Sequence, residues 1–377
     1  MPSSDNDFIA VNEPLLDGNE KKYLAQCIDT GWISSEGPFV EQFEKTLAAR
    51  VNRRWGVAVC NGTAALDAAI EALGIEAGDE VIMPAFTIIS CIGQLIRCGA
   101  RPVLVDSDAR TWNMDVSQIE AKITARTKAI MVAHMYGLPV DMKPVLEIAE
   151  RYRLRLLEDA AEMHGQSCHG RPCGSFGDIS TFSFYANKVV TTGEGGMILT
   201  NDEELAQRCS SLRNLCFQPQ KRFVHEHLGW NFRMTNLQAA MGVAQLERLD
   251  EFVARKRAMG RRYTELLQGI SGLQLPLPAT DYAQNIYWVY GMVLDESRDL
   301  DAAQAMRKLA SLGIGCRPFF CPMHQQPVLR ARGLFEGESY PVAERLYRRG
   351  FYIPSGLALT EAQITRVAHA VRNILGS

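Results

Sequence analysis

The chain has 377 residues, of which 47% are hydrophobic and 22% charged, and a formal net charge of −3. That length exceeds one small core and predicts a large domain with a smaller companion. The composition excludes a disordered chain, and the slightly acidic balance argues against nucleic acid or an anionic membrane as the main partner.

Short apolar strands alternate with helix-period segments over the first two-thirds of the chain. Strands are predicted at Trp55–Cys60, Glu80–Pro84, Pro102–Asp106, Ala129–His134, Leu154–Glu158, Ile179–Phe184 and Met197–Thr200. Between them, Leu66, Ala69, Ile70 and Leu73 share one helix face, as do Val145, Ile148, Ala149 and Tyr152. Such alternation implies an α/β fold, with a mostly parallel sheet covered by helices on both sides. Residues 237–267 read as long helical segments leading out of that unit. The pattern then restarts with a strand at Tyr287–Leu294, a helix at Ala302–Leu312 and a last helix from Thr360. We place a large domain at residues 1–250 and a smaller C-terminal α+β domain at 251–377.

The basic run Arg255-Lys256-Arg257 with Arg261-Arg262 reads as a solvated helix face. Ten scattered cysteines without a Cys-x-x-Cys pair read as reduced thiols. His225 and His227 have no companion ligand set, so no metal is expected. No apolar run reaches spanning length and the N-terminus carries no signal-peptide pattern, so a cytoplasmic protein away from membranes is expected.

Chemistry concentrates where predicted strands end. After the first strand comes Asn61-Gly62-Thr63-Ala64-Ala65-Leu66, with a glycine, a hydroxyl and small residues opening a helix. A helix start of this kind can bind one phosphate group, although, taken alone, the pattern reads more simply as Asn61 or Thr63 capping the helix. Neither a Gly-x-Gly-x-x-Gly fingerprint nor a Walker lysine loop is present, which speaks against dinucleotide or nucleoside triphosphate binding. Asp159 ends a later strand, and Lys188 follows another, just before the glycine-rich Thr191-Thr192-Gly193-Glu194-Gly195-Gly196. A lysine held partly desolvated can form a Schiff base, and an aspartate at a strand end can keep a pyridinium nitrogen protonated. All three features fall on the edge where open α/β sheets bind ligands, and together they point to pyridoxal 5'-phosphate.

At this point the chain resembles the DegT/DnrJ/EryC1/StrS sugar aminotransferases almost end to end. The likeness runs from Asp29-Thr30-Gly31-Trp32-Ile33-Ser34-Ser35-Glu36-Gly37 to Arg317-Pro318-Phe319-Phe320-Cys321-Pro322-Met323-His324. Between these lie Thr192-Gly193-Glu194-Gly195-Gly196-Met197 and Asn231-Phe232-Arg233-Met234-Thr235-Asn236. Within the family it is most similar to members that aminate C4 of GDP-4-keto-6-deoxy-D-mannose.

The resemblance implies a fold-type I pyridoxal phosphate enzyme with a seven-stranded sheet, using L-glutamate as amino donor and a nucleotide-linked keto sugar as acceptor. It implies Lys188 and Asp159 as catalytic residues. Gly62, Thr63, Ala64 and Ser183 would lie around the phosphate, with Glu162 beside the cofactor ring. Asn231 would reach the phosphate from the neighbouring subunit of a homodimer with shared sites. On the substrate side it implies Trp32, Arg233, Arg317 and His324, with Trp288 and Tyr290 in a strand approaching His324. Many relatives carry an aromatic ring where Ile88 stands, so stacking on the cofactor falls to Ile88 or to Phe86. A dTDP- or UDP-linked acceptor, a sugar dehydratase and a non-catalytic sensor on the same scaffold are the alternatives.

Overall fold

A computed structural model describes residues 8–218 and 220–376. The opening residues, on which the reading of the N-terminus partly falls, lie outside the described residues. The seven strands expected from the sequence form one sheet: β1 (Trp55–Val59), β2 (Glu80–Pro84), β3 (Arg101–Val105), β4 (Thr127–Ala133), β5 (Arg155–Asp159), β8 (Ile179–Ser183) and β9 (Gly196–Thr200). A small ribbon, β6 (Ser167–Cys168) with β7 (Arg171–Pro172), interrupts them in chain order. The sheet order is β1-β9-β8-β5-β4-β2-β3. Only β9 runs against its neighbours; the other pairings, from β8 through β3, are parallel.

Every residue of β2 and β9 is buried, as a sheet covered on both faces requires. The register pairs Ala133 with Asp159 and Asp159 with Thr181, so adjacent parallel strands deliver their carboxyl ends at one level. Helix Gly62–Ala72 packs over β8 and β9, close to that edge.

A second, antiparallel sheet has the order β10-β11-β13-β12, from β10 (Leu273–Gln274), β11 (Tyr290–Leu294), β12 (Arg317–Pro318) and β13 (Gly350–Ile353). Helices Leu249–Leu267 and Glu361–Leu375 pack together beside it around Tyr263, Tyr290, Phe351 and Val367. Ile9, placed by sequence with the large domain, belongs to this second cluster. Its amide donates to the Gly313 carbonyl at 2.7 Å, and its carbonyl accepts from Gly315 at 2.8 Å. Helix Leu249–Leu267 serves both halves: Leu249, Phe252 and Val253 pack in the first core, Met259, Tyr263 and Leu267 in the second.

That helix also corrects the reading of its basic run. Lys256 is 2% exposed. It falls on the stripe of Phe252, Val253, Met259, Gly260 and Tyr263, where three- and four-residue spacing turns a side chain inward whatever its charge.

Candidate active site

Helix Gly62–Ala72 begins at the carboxyl end of β1. Asn61 is extended, and its Oδ1 accepts from the Ala64 amide at 2.8 Å, so the capping role is real. The preceding amides, Gly62 and Thr63, have no partner within a helix of this geometry, and both residues line a cavity of about 570 Å³. A Cβ at position 62 would come 2.7 Å from Cβ of Ser183, at the end of β8. Glycine is therefore needed for the helix start to approach β8 this closely. The Thr63 and Ser90 hydroxyls meet at 2.9 Å beside it. Free amides, a helix N-terminus and hydroxyls form one concave surface suited to a phosphate.

In the same cavity are Asp159, the last residue of β5, Glu162 just beyond it, and Lys188, in the turn after β8. Asp159 is 5% exposed; its Oδ1 accepts from the Ala161 amide at 3.0 Å, and the Cys91 thiol donates to Oδ2 at 3.3 Å. Burial pushes the Asp159 carboxyl above its ordinary range, while the Ala161 amide, the Cys91 thiol and the Lys188 charge draw it back. Burial likewise raises Glu162, against the pull of Lys188 and of the Tyr136 amide, which donates to Oε2 at 2.5 Å. Lys188 is moved the opposite way: burial lowers it, opposed by the charges of Glu162 and Asp159. The site thus brings together an amine made easier to deprotonate and two carboxyls that hold protons more readily than in water, a pattern typical of proton-transfer chemistry.

Ile88 lines the cavity and is 43% exposed, whereas Phe86 is fully buried among Tyr136, Phe319 and Phe320. The flat surface offered at this position is therefore aliphatic. Of the other expected residues, Gly62, Thr63, Ala64, Asp159, Glu162, Ser183 and Lys188 all line the cavity. Asn231 and Trp32 are exposed and outside it. Arg233 donates to Asn214 Oδ1 at 2.7 Å and lines a separate cavity of about 410 Å³ with Ser34, Arg213 and Arg222. Arg317 is exposed on β12, opposite Tyr352, which itself lines the first cavity.

His324, expected on the substrate side, lies apart from this cavity. It is 2% exposed, its Nε2 pairs with Glu344 Oε1 at 2.9 Å, and its ring packs 4.9 Å from that of Tyr340. The ring is sequestered between these groups and does not line the cavity.

Sequence reasoning missed Cys91, Tyr136 and His134. His134 takes the Val140 amide on Nδ1 at 3.1 Å and pairs through Nε2 with Glu158 at 3.0 Å, which places its proton on Nε2. Glu158 also accepts from the Gly174 and Phe176 amides, so this buried pair braces β4 and β5 beneath the site. Trp288, expected near His324, lies instead against Lys188.

A parallel sheet with a phosphate-sized cradle, a desolvated lysine and a strand-end carboxylate at its carboxyl edge defines a pyridoxal phosphate enzyme. The residues fit that group: the glycine-lined cradle matches its phosphate, Asp159 offers an anion to its ring nitrogen, and Lys188 offers the amine. The chain belongs to the DegT/DnrJ/EryC1/StrS aminotransferase family, which matches residues 14–372, and its cofactor is pyridoxal phosphate. A GDP-perosamine synthase of Caulobacter vibrioides is 43% identical over 372 residues, covering 99% of this chain and 100% of that protein. Another, of Escherichia coli O157:H7, is 39% identical, covering 97% and 98%. The solved structure of the aminotransferase TlmJ from Streptoalloteichus hindustanus matches with a TM-score of 0.90 at 30% identity, covering 98% and 99%.

Proposed function

We propose that this enzyme moves the amino group of L-glutamate to C4 of GDP-4-keto-6-deoxy-D-mannose, yielding GDP-perosamine and 2-oxoglutarate, for polysaccharide synthesis. The observation that carries the acceptor is likeness over nearly the whole chain to relatives called GDP-perosamine synthase, at 43%, 39% and 37% identity.

Bound pyridoxal phosphate supplies an electron sink, so that a proton can leave and return at the carbon bearing nitrogen. Lys188 is the base and acid for that proton. Its Nζ lone pair takes the proton from the donor carbon, and its ammonium returns one to C4 of the sugar. Burial aids the first task by lowering the affinity of Nζ for a proton. Asp159, held in place by the Ala161 amide and the Cys91 thiol, would offer its carboxylate to the ring nitrogen. Glu162 sits close enough to Lys188 to compensate its charge when the amine is protonated. The amides of Gly62 and Thr63 with the Ser183 hydroxyl orient the phosphate.

The working unit is a homodimer in which Asn231 serves the partner's site, while Arg233, hydrogen-bonded to Asn214, serves the phosphate or substrate or pins its loop. Trp32 and Ile33, half exposed beside the Arg233 cavity, support an apolar contact there. All ten cysteines are free thiols, which supports a reducing compartment such as the cytoplasm. No helix among the described residues is long and apolar enough to cross a membrane.

The acceptor is tested by incubating the enzyme and glutamate with GDP-, dTDP- and UDP-linked 4-keto sugars and following amination by mass spectrometry. Conversion of the GDP-mannose derivative with at least tenfold preference is expected. Amination of only dTDP or UDP sugars overturns the assignment while leaving the aminotransferase chemistry in place.

A further inference from the structure

Trp288 is tied to the reactive lysine by its face, its edge and its backbone. The indole is 3% exposed, and Nζ of Lys188 stands over it, 3.9 Å from the ring centroid. Its Nε1–H donates at 2.9 Å to the carbonyl of Asn187, the residue immediately before Lys188. Its own carbonyl accepts from Nζ of Lys256 at 2.7 Å, and that same buried amine donates to the Ser355 carbonyl. The Tyr136 ring lies nearly parallel to the indole, with centroids 6.2 Å apart. The Asn187 carbonyl is held from another direction by Nδ2 of Asn12 at 3.2 Å. Lys188 therefore rises from a pinned turn onto a pinned aromatic surface.

Transamination requires Lys188 to be a free, proton-carrying amine for part of every cycle. A free ammonium in a buried cavity has lost much of its hydration. An indole face supplies attraction for a cation without adding a titratable charge, and indole is the strongest of the aromatic side chains in this respect. We propose that Trp288 is a positioning residue for Lys188, carrying the ammonium on its indole face whenever the amine is unattached. The hydrogen bond to Asn187 fixes the point from which the amine swings, and Lys256 anchors the indole's backbone. The indole gives and takes no proton; it shifts the balance of Nζ between ammonium and amine. Glu162 and Asp159 face the same amine and act in the same direction, while burial opposes all three.

The proposal rests on Lys188 being the reactive amine, but it can be read separately from cofactor chemistry. The full-length chain freed of cofactor is treated with trace acetic anhydride across a pH series, and acetylation of the Lys188 peptide is followed by mass spectrometry. Without the indole the ammonium loses a stabilising partner, so Trp288→Leu should lower the labelling midpoint of Lys188 by about one pH unit, a tenfold change. Trp288→Phe, which keeps a weaker face and most of the volume, should fall between that variant and the wild type. In the loaded enzyme, Trp288→Phe should lower kcat several-fold with little change in KM for glutamate. A wild-type-like circular dichroism spectrum and thermal melt certify the fold of each variant, with exposed Lys21 and Lys45 as the internal labelling reference. A Lys188 midpoint unmoved in both folded variants overturns the proposal and leaves Trp288 a packing residue. Failure of the aminotransferase reading would show instead as loaded wild type with no visible cofactor band that depends on Lys188.

Discussion

Lys188 and Lys256 are both withdrawn from water, and the regions that hold them differ in what surrounds the amine. Lys188 lies at the carboxyl edge of the large sheet, in a cavity it shares with Asp159 and Glu162. Lys256 lies on the inner face of the helix joining the two sheets, and its Nζ donates to the carbonyls of Trp288 and Ser355. Burial lowers both amines, and Lys256 falls to about 7 because no anion opposes the loss of hydration. Desolvation alone thus makes a lysine easier to deprotonate without making it reactive. Reactivity further requires carboxylates acting on the amine and room for the second reactant: Lys188 has Asp159 and Glu162 beside it in a cavity of about 570 Å³, whereas Lys256 lines one of only about 160 Å³.

The largest effect separating the two regions is expected at Asp159. Asp159→Asn should reduce kcat by about 10²–10³-fold, because the anion aimed at the ring nitrogen is lost. Stability should be unchanged or slightly higher, since a buried carboxyl raised by desolvation is replaced by a neutral amide. Steady-state rates and a thermal melt on the same sample check both halves; a destabilised variant with near-normal kcat would make Asp159 structural.

Lys256 should show itself in stability rather than in the chemical step. Its folded-state value near 7 lies below the ordinary lysine value of 10.5, so between these pH values the unfolded chain binds more protons than the folded one. Stability then rises with pH from about 7 to about 10, by up to about 1.4 kcal/mol per pH unit from this group. Lys256→Met should remove that slope, as read by denaturant unfolding at pH 7, 8 and 9. A slope shared equally by wild type and variant would place its source elsewhere.

The smallest functional effect is expected at His324. Breaking its pair with Glu344 by His324→Ala should cost about 1–3 kcal/mol of stability and leave KM for the sugar unchanged. A rise in KM of tenfold or more in a folded variant would return this residue to the substrate side.

The strands of the large sheet were legible because each is a short apolar run bounded by polar or turn-forming residues. Glu80–Pro84 matches to the residue, and the others are shifted by one or two positions. The strand expected from Tyr287 begins only at Tyr290. Tyr287 adopts a φ of 51°, and its amide donates to Asn285 Oδ1, a local turn that an unbroken apolar run conceals. The cradle, Asp159 and Lys188 could be read because a sheet of this type gathers its strand ends at one edge. The Trp288–Lys188 and His324–Glu344 contacts could not, since nothing in local pattern reports which distant segments will meet. Lys256 was legible in principle, because counting three and four residues from Phe252 and Val253 places it inward. Its basic neighbours outweighed its phase.

The most direct test of the site is to add excess L-glutamate to the pyridoxal phosphate-loaded protein and record the visible spectrum. The long-wavelength cofactor band should disappear in the wild type, and in Lys188→Ala the conversion should be about 10⁴-fold slower or undetectable. A band that glutamate leaves intact in the wild type, or removes equally fast without Lys188, would contradict glutamate-driven transamination at this lysine.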